Sequence, residues 1–467
     1  MVKAQPREVL AVNRRTTLVA DTLRRLVRRG ARSRISNLLD KTRPEDVADV
    51  LPTLTPAHQE QIFEILSDDY VDSAGEVLVE VEPSLRLALL EAMSAERIAR
   101  ILSRQAVDDQ VFLIETLPDE RREEVLELIN LAARDAVETH LTYGDDSAGR
   151  IMDSQFYSLS EDKSIGEAIA ALQESRDLEN IFYLYMVDDG GHLTGVTSLR
   201  QLLLSRPERP LAEVMTRSVI KAHIETDQEE VAEIATRYNL LAVPVVDDDN
   251  KLVGIVTVDD IIDVVQEEAN EDFFKMVGTS EDEILYQDRS FKVAGIRLPW
   301  LLINLVGLLG AALLLTRFES SLGSLYLTLY AFVPAIMGMA GNIGSQTSTI
   351  AVRGLATGRV SLAPGQMRKF VWQQLKVGVV LGIACAAFVG LAATFLQASP
   401  FHGVVVGVSM CLAIILASLT GVVIPLAFER LAIDPAVAAG PLVTTLNDIT
   451  GILIYFSIAT TLVQFMN

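Results

Sequence analysis

Cysteine is almost missing from this chain of 467 residues, which contains only Cys385 and Cys411. Both lie in long apolar stretches of the last third, so residues 1–384 contain no thiol. This scarcity argues against a disulfide framework and against any metal site built from thiolates. Residues 1–34 also lack an apolar run of the kind that forms the core of a secretory signal peptide, and none is expected there.

Positive charge is scarce as well, with 40 Lys and Arg against 62 Asp and Glu and a net charge of −22. Residues 298–467 carry +3 and the Arg-rich residues 1–34 carry +8, which leaves −33 for residues 35–297. A nucleic-acid partner is therefore not expected, because binding to a phosphate backbone needs the opposite sign. The acidic groups either keep this part soluble or bind cations, and composition leaves both open.

Residues 1–34 form a basic N-terminal leader in this interpretation. They could contact anionic membrane lipid, or they could form a frayed, solvated helix. We favour the second alternative, because runs of like charge usually lie in solvent.

Long runs of apolar residues are abundant in the last third of the chain. Crossing about 30 Å of hydrocarbon takes about 20 residues, and five runs are long enough, at 299–317, 324–351, 371–397, 402–428 and 436–465. Basic residues cluster before the first run and between the second and third, which places both connections in the cytoplasm. We predict a multi-pass protein of the plasma (inner) membrane, with five transmembrane helices in residues 291–467, a cytoplasmic N-terminus and an external C-terminus.

Two patterns divide the preceding residues. Residues 35–143 place apolar side chains at three- and four-residue spacings after Pro- or Asp-led starts, which predicts an all-α superhelical domain. Residues 144–265 instead repeat a unit of strand, acidic or Gly-containing turn, strand and helix. The two copies, "IFYLYMVDDGGHLTGVTSLRQLL" and "LLAVPVVDDDNKLVGIVTVDDIIDVV", resemble a tandem pair of CBS domains, which are α/β regulatory modules.

The resemblance to CBS pairs implies an adenine-nucleotide pattern of Gly, then Ser or Thr three residues on, then Asp six residues on. The second copy retains it as Gly254, Thr257 and Asp260, whereas the first copy ends it with Gln201. One ATP site, with Thr257 and Asp260 as its residues, is therefore implied. The alternative is that Thr257 only caps the following helix.

A dense acidic stretch then leads to the first span. We predict one connecting helix over residues 259–290, because apolar residues recur along "VDDIIDVVQEEANEDFFKMV". Its carboxylates recur at three- and four-residue steps, where like charges repel. The quoted run, residues 258–277, contains one basic residue, Lys275, so bound cations are the expected neutralising charge. A solvated acidic face is the alternative.

One carboxylate, Asp448, interrupts the fifth span in "GPLVTTLNDITGILIYF". A charge near the middle of a span costs about 2.5–3.5 kcal/mol on insertion scales and usually faces a pore, a partner or water. We therefore favour an ion path over a structural role in which Asp448 bonds to Thr444, Asn447 or Thr450.

Uncharged polar residues interrupt the second span in "PAIMGMAGNIGSQTS". Asn342 and Gln346 offer amide oxygens to a cation that keeps its water shell. The glycines of this stretch are also consistent with close helix packing alone.

The whole order of domains resembles the MgtE family of magnesium channels, with a helical N domain, tandem CBS domains, an acidic plug helix and five spans. The motifs "GNIGSQ", "GPLVTTLNDITG" and "TDQEEVA" carry this resemblance, which extends from about residue 45 to the end. It implies a homodimer that conducts Mg²⁺ along its twofold axis, for magnesium uptake, and that closes when cytoplasmic Mg²⁺ binds. Mg²⁺ would be both cargo and regulator.

The resemblance also implies metal-binding residues one by one. Asp448 is the pore carboxylate, Asp434 is an acid near the inner mouth, and Asn342 lies in the second span. The regulatory acids are Asp227 and Glu229 in the second CBS copy, Asp260, Asp263, Glu268, Glu271 and Asp272 at its end and on the plug helix, and Asp119 and Glu123 in the N domain. Asn239 stands where relatives can carry Asp, so one regulatory contact is in doubt.

Other functional classes are weaker. An enzyme is not expected, because no span contains a His–Cys or paired-carboxylate arrangement. The main alternative is a proton- or sodium-coupled transporter of divalent metals in which Asp448 relays a cation, with Co²⁺, Mn²⁺ or Ni²⁺ as further cargo.

Overall fold

The structure is a computed structural model that describes residues 6–174, 181–280, 283, 290–322 and 325–466. The chain divides into two compact units, Met1–Glu267 and Glu268–Asn467. The boundary falls inside a helix, so the two units share one continuous piece of backbone.

The first part of unit 1 is helical, as predicted. Proline opens several helices here, because its fixed φ suits the first turn and its missing N–H is not needed there. The helices are α1 Pro6–Arg28, α2 Arg32–Leu39, α3 Pro44–Val50, α4 Pro56–Asp69, α5 Val71–Glu80, α6 Pro83–Ala92, α7 Ala95–Leu102, α8 Val107–Glu115, α9 Asp119–Leu128 and α10 Leu131–His140. A 3₁₀ turn, Leu51–Thr53, follows α3. Their apolar faces share one core, which includes Phe63, Leu90 and Ile114.

Helix α1 corrects the expectation of a frayed, solvated leader. Val19, Leu23 and Val27 of α1 are buried in the same core as the helices that follow, and Arg24 donates to the carbonyl oxygen of Thr53 at 2.6 Å. These apolar residues lie at four-residue spacing, so they form one face of the helix. The last two turns of α1 therefore belong to the helical domain.

In the described part of the chain, unit 1 continues with two three-stranded sheets. The first contains β1 Ser158–Ser160, β2 Tyr183–Val187 and β3 Leu193–Ser198, and the second contains β4 Ala222–His223, β5 Ala242–Val246 and β6 Leu252–Thr257. In each sheet the central strand is parallel to the first and antiparallel to the third. The associated helices are α11 Ala148–Ile151, α12 Ile165–Glu174, α13 Leu199–Leu204 and α14 Gln228–Tyr238, with a 3₁₀ turn at Leu211–Glu213. The predicted duplication of an α/β unit is confirmed.

The acidic connecting helix, α15, is shorter than the predicted 259–290. It runs from Val258 to Val277 and ends before Gly278, which has φ +77°. Glycine adopts this left-handed conformation without steric cost and is a common helix terminator. Of the predicted remainder, residues 281, 282 and 284–289 lie outside the described residues. Ile261 and Val264 hold the first turns of α15 in the core of the second sheet.

Unit 2 contains the long apolar helices. They are α16 Ser290–Leu322, α17 Leu325–Tyr330, α18 Val333–Ala356, α19 Pro364–Gln397, α20 Pro400–Arg430, α21 Pro435–Ala439 and α22 Pro441–Met466. Within the described residues, five stretches are long and apolar enough to cross a membrane, namely Ser290–Glu319, Tyr326–Ala356, Pro364–Gln397, Pro400–Arg430 and Pro441–Gln464. The prediction of five spans is confirmed.

The spanning helices pack through small residues and expose large apolar ones. A Cβ at Gly390 would lie 2.9 Å from the carbonyl oxygen of Gly403, so α19 and α20 meet through their backbones. Phe388 and Phe395 of α19 are at least 80% exposed. Such outward faces suit contact with lipid tails.

Candidate metal and nucleotide sites

Asp448 lies half-buried on α22, next to a glycine of α18. A Cβ at Gly341 would lie 3.5 Å from Asp448 Oδ1 and 3.4 Å from Thr444 Cγ2. One turn before the carboxylate, the hydroxyls of Thr444 and Ser345 lie 3.1 Å apart and connect the two helices. The carboxylate therefore lies beside the α18 backbone, where a larger side chain would crowd it.

The residues considered as structural partners of Asp448 bond to other groups. Thr444 contacts Ser345, Asn447 accepts from Thr420 at 2.6 Å, and Thr450 donates to the carbonyl oxygen of Leu446 at 2.8 Å. These contacts favour the ion-path interpretation of Asp448 over the structural one.

Polar residues of α18 lie on its exposed side. Asn342 and Gln346 are one turn apart, and both are exposed in the single chain. Amide side chains on a spanning helix are rarely left facing hydrocarbon, so this side needs water or another protein surface. The exposure of Asn342 fits its predicted position beside an ion path.

At the end of α15, three of the predicted acids surround one ammonium. Lys275 Nζ lies 2.6 Å from Glu271 and 2.7 Å from Asp434. Burial disfavours the charged ammonium, but its hydrogen bonds to these carboxylates outweigh burial and raise the pKa of Lys275. Burial, followed by repulsion from Asp434, raises the pKa of Asp272 to about 6. Asp434 also caps α21 by accepting from the Ala436 N–H at 2.7 Å.

The last turn of α15 also meets the start of α22 directly. A Cβ at Gly440 would collide with the carbonyl oxygen of Met276, and one at Gly278 would lie 3.1 Å from Pro441 Cγ. The two helices therefore touch through backbone and proline at this point.

In unit 1, a second group of acids forms where the helical domain meets the second CBS copy. Burial, followed by repulsion from Asp260, raises the pKa of Asp108 well above its usual range. Burial and repulsion from Asp153 raise the pKa of Asp109 to about 6. Burial also raises the pKa of Asp260 to about 7, with Asp259 adding repulsion against the lowering effect of hydrogen bonds from Thr257. We call Asp108, Asp109, Asp153, Asp259 and Asp260 the interdomain acidic cluster.

The interdomain acidic cluster has the chemistry of a site for a hard cation. Asp108 Oδ1 is buried and lacks a hydrogen-bond partner, and a buried carboxylate without partners is costly. Divalent Mg²⁺ takes oxygen ligands and retains several waters. Among the described residues, however, no three His, Cys, Asp or Glu side chains are grouped so that they could hold a metal by themselves. The acids therefore form a charged surface whose ligand shell water would complete.

The other predicted regulatory acids are more dispersed. Burial and repulsion from Asp259 raise the pKa of Asp263, so this residue lies near the cluster. Asp227 caps α14 by accepting from the Glu229 N–H at 2.9 Å. Asp119, Glu123 and Glu229 are exposed, whereas Glu268 is half-buried on α15. Their metal-binding roles stay predictions.

Sequence reasoning missed Asp108, Asp109 and Asp153. They lie about 100 to 150 residues before Asp260 in the chain, so no spacing rule connects them. An acidic pair in the first turn of a helix is also common, because it complements the helix dipole. The signal in "VDDQVFLIE" was therefore present but not specific.

The proposed nucleotide residues already contact each other. Asp260 Oδ2 accepts from the backbone N–H of Thr257 at 3.1 Å and from its hydroxyl at 2.5 Å, as in a capping box at the start of α15. Gly254 is needed because a Cβ there would lie 2.6 Å from Met152 Sδ. In the first copy, Ser198 accepts from the Gln201 N–H at 3.2 Å. Ser198 therefore caps its helix, whereas the ATP site of Thr257 and Asp260 stays a prediction.

Models of known protein families match residues in both units of the chain. The family model for the MgtE intracellular N domain matches residues 25–146, the CBS domain model matches 148–207 and 211–267, and the MgtE divalent cation transporter model matches 333–458. The chain is 32% identical to the magnesium transporter MgtE of Bacillus subtilis, over 94% of this chain and 96% of that protein. It is also 32% identical to the magnesium transporter MgtE of Thermus thermophilus, over 96% and 99%.

A solved structure resembles unit 1. The cytosolic domain of the Mg²⁺ channel MgtE in complex with ATP is 30% identical, with a TM-score of 0.50, and the match covers 52% of this chain and 99% of that one.

Proposed function

This chain belongs to the MgtE family of divalent cation transporters, and on that premise we propose that it carries Mg²⁺ across a membrane. The observation that carries the proposal is Asp448, a carboxylate in the fifth span beside Gly341. The chain is a multi-pass membrane protein, and membership of a transporter family with CBS domains points away from an enzyme.

The ion path would form between two copies of the chain. Asp448 from each copy would face the twofold axis, where two carboxylates repel and a divalent cation relieves that repulsion. The exposed amides of Asn342 and Gln346 support a wet, shared surface rather than a lipid-facing one. They could bind the cation through its water shell, which Mg²⁺ gives up reluctantly.

Cytoplasmic Mg²⁺ would regulate this path. In the interdomain acidic cluster, a cation would bridge α8 to the start of α15 and favour a compact arrangement of unit 1. At the other end of α15, Glu271 and Asp272 lie with Asp434 at the start of the fifth span. A ligand shifts such an equilibrium only through its differential affinity for the two states, so several weak acidic sites acting together would serve this purpose.

Orientation and nucleotide binding complete the proposal. Arg353, Arg359, Arg368 and Lys369 lie between the second and third spans, and the positive-inside rule puts them with unit 1 in the cytoplasm and the C-terminus outside. Thr257 and Asp260 of the second CBS copy would contribute to one ATP site, which the ATP complex of the similar cytosolic domain supports.

The test is Mg²⁺ flux into proteoliposomes that contain the full chain, with Mg²⁺ titrated on the face that bears unit 1. We expect wild-type flux that this Mg²⁺ suppresses, and loss of flux in Asp448→Ala. Glu319→Gln is the matched control, because it removes an exposed carboxylate at the end of the first span. Robust flux in assembled Asp448→Ala would remove Asp448 from the path. Flux that requires an imposed proton or sodium gradient would instead indicate coupled transport.

A further inference from the structure

Asn447 precedes Asp448 on α22 but points into a junction of three helices. It is fully buried, and its Oδ1 accepts from Thr420 Oγ1 of α20 at 2.6 Å. Its Nδ2 is buried without a hydrogen-bond partner and packs where a Cβ at Gly344 of α18 would lie. The amide therefore lies in the space between α18, α20 and α22.

Backbone contact between α18 and α20 shapes this space. A Cβ at Gly421 would lie 2.6 Å from the carbonyl oxygen of Gly344 and 3.0 Å from Thr347 Cβ. Close approach of this kind requires small residues. Asn447 inserts beside this contact, so its side chain has little freedom to move.

Stability alone does not explain an asparagine at this position. An unmatched buried N–H₂ group is unfavourable, because it gives up its bonds to water. An apolar side chain such as leucine would avoid that penalty, although leucine is larger than asparagine. What leucine lacks is a directional bond to Thr420.

We propose that Asn447 is a positioning residue that fixes the rotation of α22 and thereby the direction of Asp448. This inference rests on the proposed function. Successive residues of an α-helix are about 100° apart around its axis, so fixing Asn447 against Thr420 directs Asp448 toward Gly341. A rotation of about 10° would move a carboxylate at the helix surface by about 1 Å, and displacements of that size can change the rate of a positioned reaction by about 100-fold. Ion selectivity should be similarly sensitive.

The experiment compares the flux of Mg²⁺ with that of Ca²⁺ in proteoliposomes for Thr420→Val and Asn447→Leu, alone and together. Thr420→Val keeps the side-chain volume, Asn447→Leu increases it, and both remove the interhelical bond. We expect each to lower the Mg²⁺/Ca²⁺ flux ratio by about tenfold, the effect of losing one good hydrogen bond. The double variant should be no worse than Asn447→Leu, because both remove one interaction.

Thr445→Val is the matched control. Thr445 of α22 donates to Asn304 Oδ1 of α16 at 2.9 Å, so this variant removes an interhelical bond of the same type on another side of the helix. We expect it to lower the melting temperature of the full chain in detergent about as much as Thr420→Val does, with the flux ratio unchanged. If Asn447→Leu fails to assemble, the flux ratio of Thr420→Val alone tests the inference.

Two results would overturn the inference while the proposed function stands. The first is an unchanged flux ratio in Thr420→Val, in a preparation where Asp448→Ala abolishes flux. The second is an equal change of the ratio in Thr445→Val. Absence of wild-type Mg²⁺ flux would overturn the proposed function and this inference together.

Discussion

Two regions of the molecule hold negative charge in opposite ways. In the membrane unit, Asp448 is a single carboxylate beside a glycine backbone. In unit 1, burial and then mutual repulsion raise the pKa values of several carboxylates of the interdomain acidic cluster. A charge in a span is expensive, so few can be kept there, whereas near water like charges can accumulate.

The difference predicts how Mg²⁺ transport depends on each residue. Flux should be lost when the surroundings of the single carboxylate of Asp448 change. Inhibition by Mg²⁺ should instead weaken gradually as more acids of the interdomain acidic cluster are neutralised. Substitutions in the two regions should therefore separate a steep loss of flux from a graded loss of inhibition.

The largest effect should come from Gly341. We expect Gly341→Leu to reduce Mg²⁺ flux by about 100-fold, because the new side chain displaces Asp448 and Thr444. Gly341→Ala should keep most of the flux, since its Cβ would make ordinary contacts at 3.4 and 3.5 Å. Gly310→Leu in α16 is the control, because a Cβ there meets nothing within 4 Å. Normal flux in Gly341→Leu would show that Asp448 does not depend on this space.

Neutralising the interdomain acidic cluster should have a smaller, graded effect. In Asp109→Asn/Asp260→Asn, we expect the Mg²⁺ concentration that half-inhibits flux to rise about tenfold, which corresponds to a typical coupling free energy between sites. Each single substitution should shift it less. The measurement is the titration of flux against Mg²⁺ on the face that bears unit 1.

The pair Asp119→Asn/Glu123→Gln is the control for that titration. Both side chains are exposed on α9, and sequence resemblance rather than geometry selects them. An equal shift in this pair would mean that the sensing acids extend beyond the cluster.

A still smaller effect should follow from Lys275→Gln. Without the ammonium, Glu271, Asp272 and Asp434 repel one another, so closing should require more Mg²⁺. Half-exposed ion pairs contribute about 1 kcal/mol or less, so we expect at most a fivefold rise in the half-inhibiting concentration. Lys369→Gln, which changes an exposed lysine at the start of the third span, should leave it unchanged. A fall in that concentration would contradict the role of Lys275 in holding the closed state.

The smallest effect should be a pH dependence of unit 1 in the absence of Mg²⁺. Folding raises the pKa of Asp109 to about 6 and that of Asp260 to about 7, so these acids destabilise the fold at pH 8. Stability should return in part as the pH falls from 8 to 7, by about 0.5 kcal/mol, because Asp260 is then half protonated. Hydrogen exchange of α8 and the start of α15, corrected for intrinsic rates and measured on the full chain, should slow accordingly. Asp109→Asn/Asp260→Asn should weaken this dependence, with Asp108 accounting for the remainder, and slower exchange at high pH would refute it.

Features that depend on local pattern were predictable from the sequence. The five spans follow from apolar length, and the duplicated α/β unit follows from its repeated strand and helix periods. Asp448 stood out because its surroundings are apolar. These predictions needed no knowledge of which distant residues meet.

Features that depend on tertiary contact were not predictable in the same way. The apolar residues Val19, Leu23 and Val27 of α1 are interleaved with arginines in the sequence. The high charge of this segment made their four-residue spacing difficult to recognise. The partners of Asp260 come from another domain, and only folding brings Asp108 to it. Asn447 could be suspected as a polar residue, but its bond to Thr420 connects two separate spans.

The contact between Gly440 and Met276 has a consequence for how this molecule can vary. Where two helices meet through backbone atoms, a larger residue at the contact has no side chain to push aside, so the helices themselves must move apart. Every replacement of Gly440 adds at least a Cβ and should therefore widen this contact. Sequence change can thus vary the acidic side chains of α15 independently, whereas a change at position 440 alters the spacing between α15 and the fifth span.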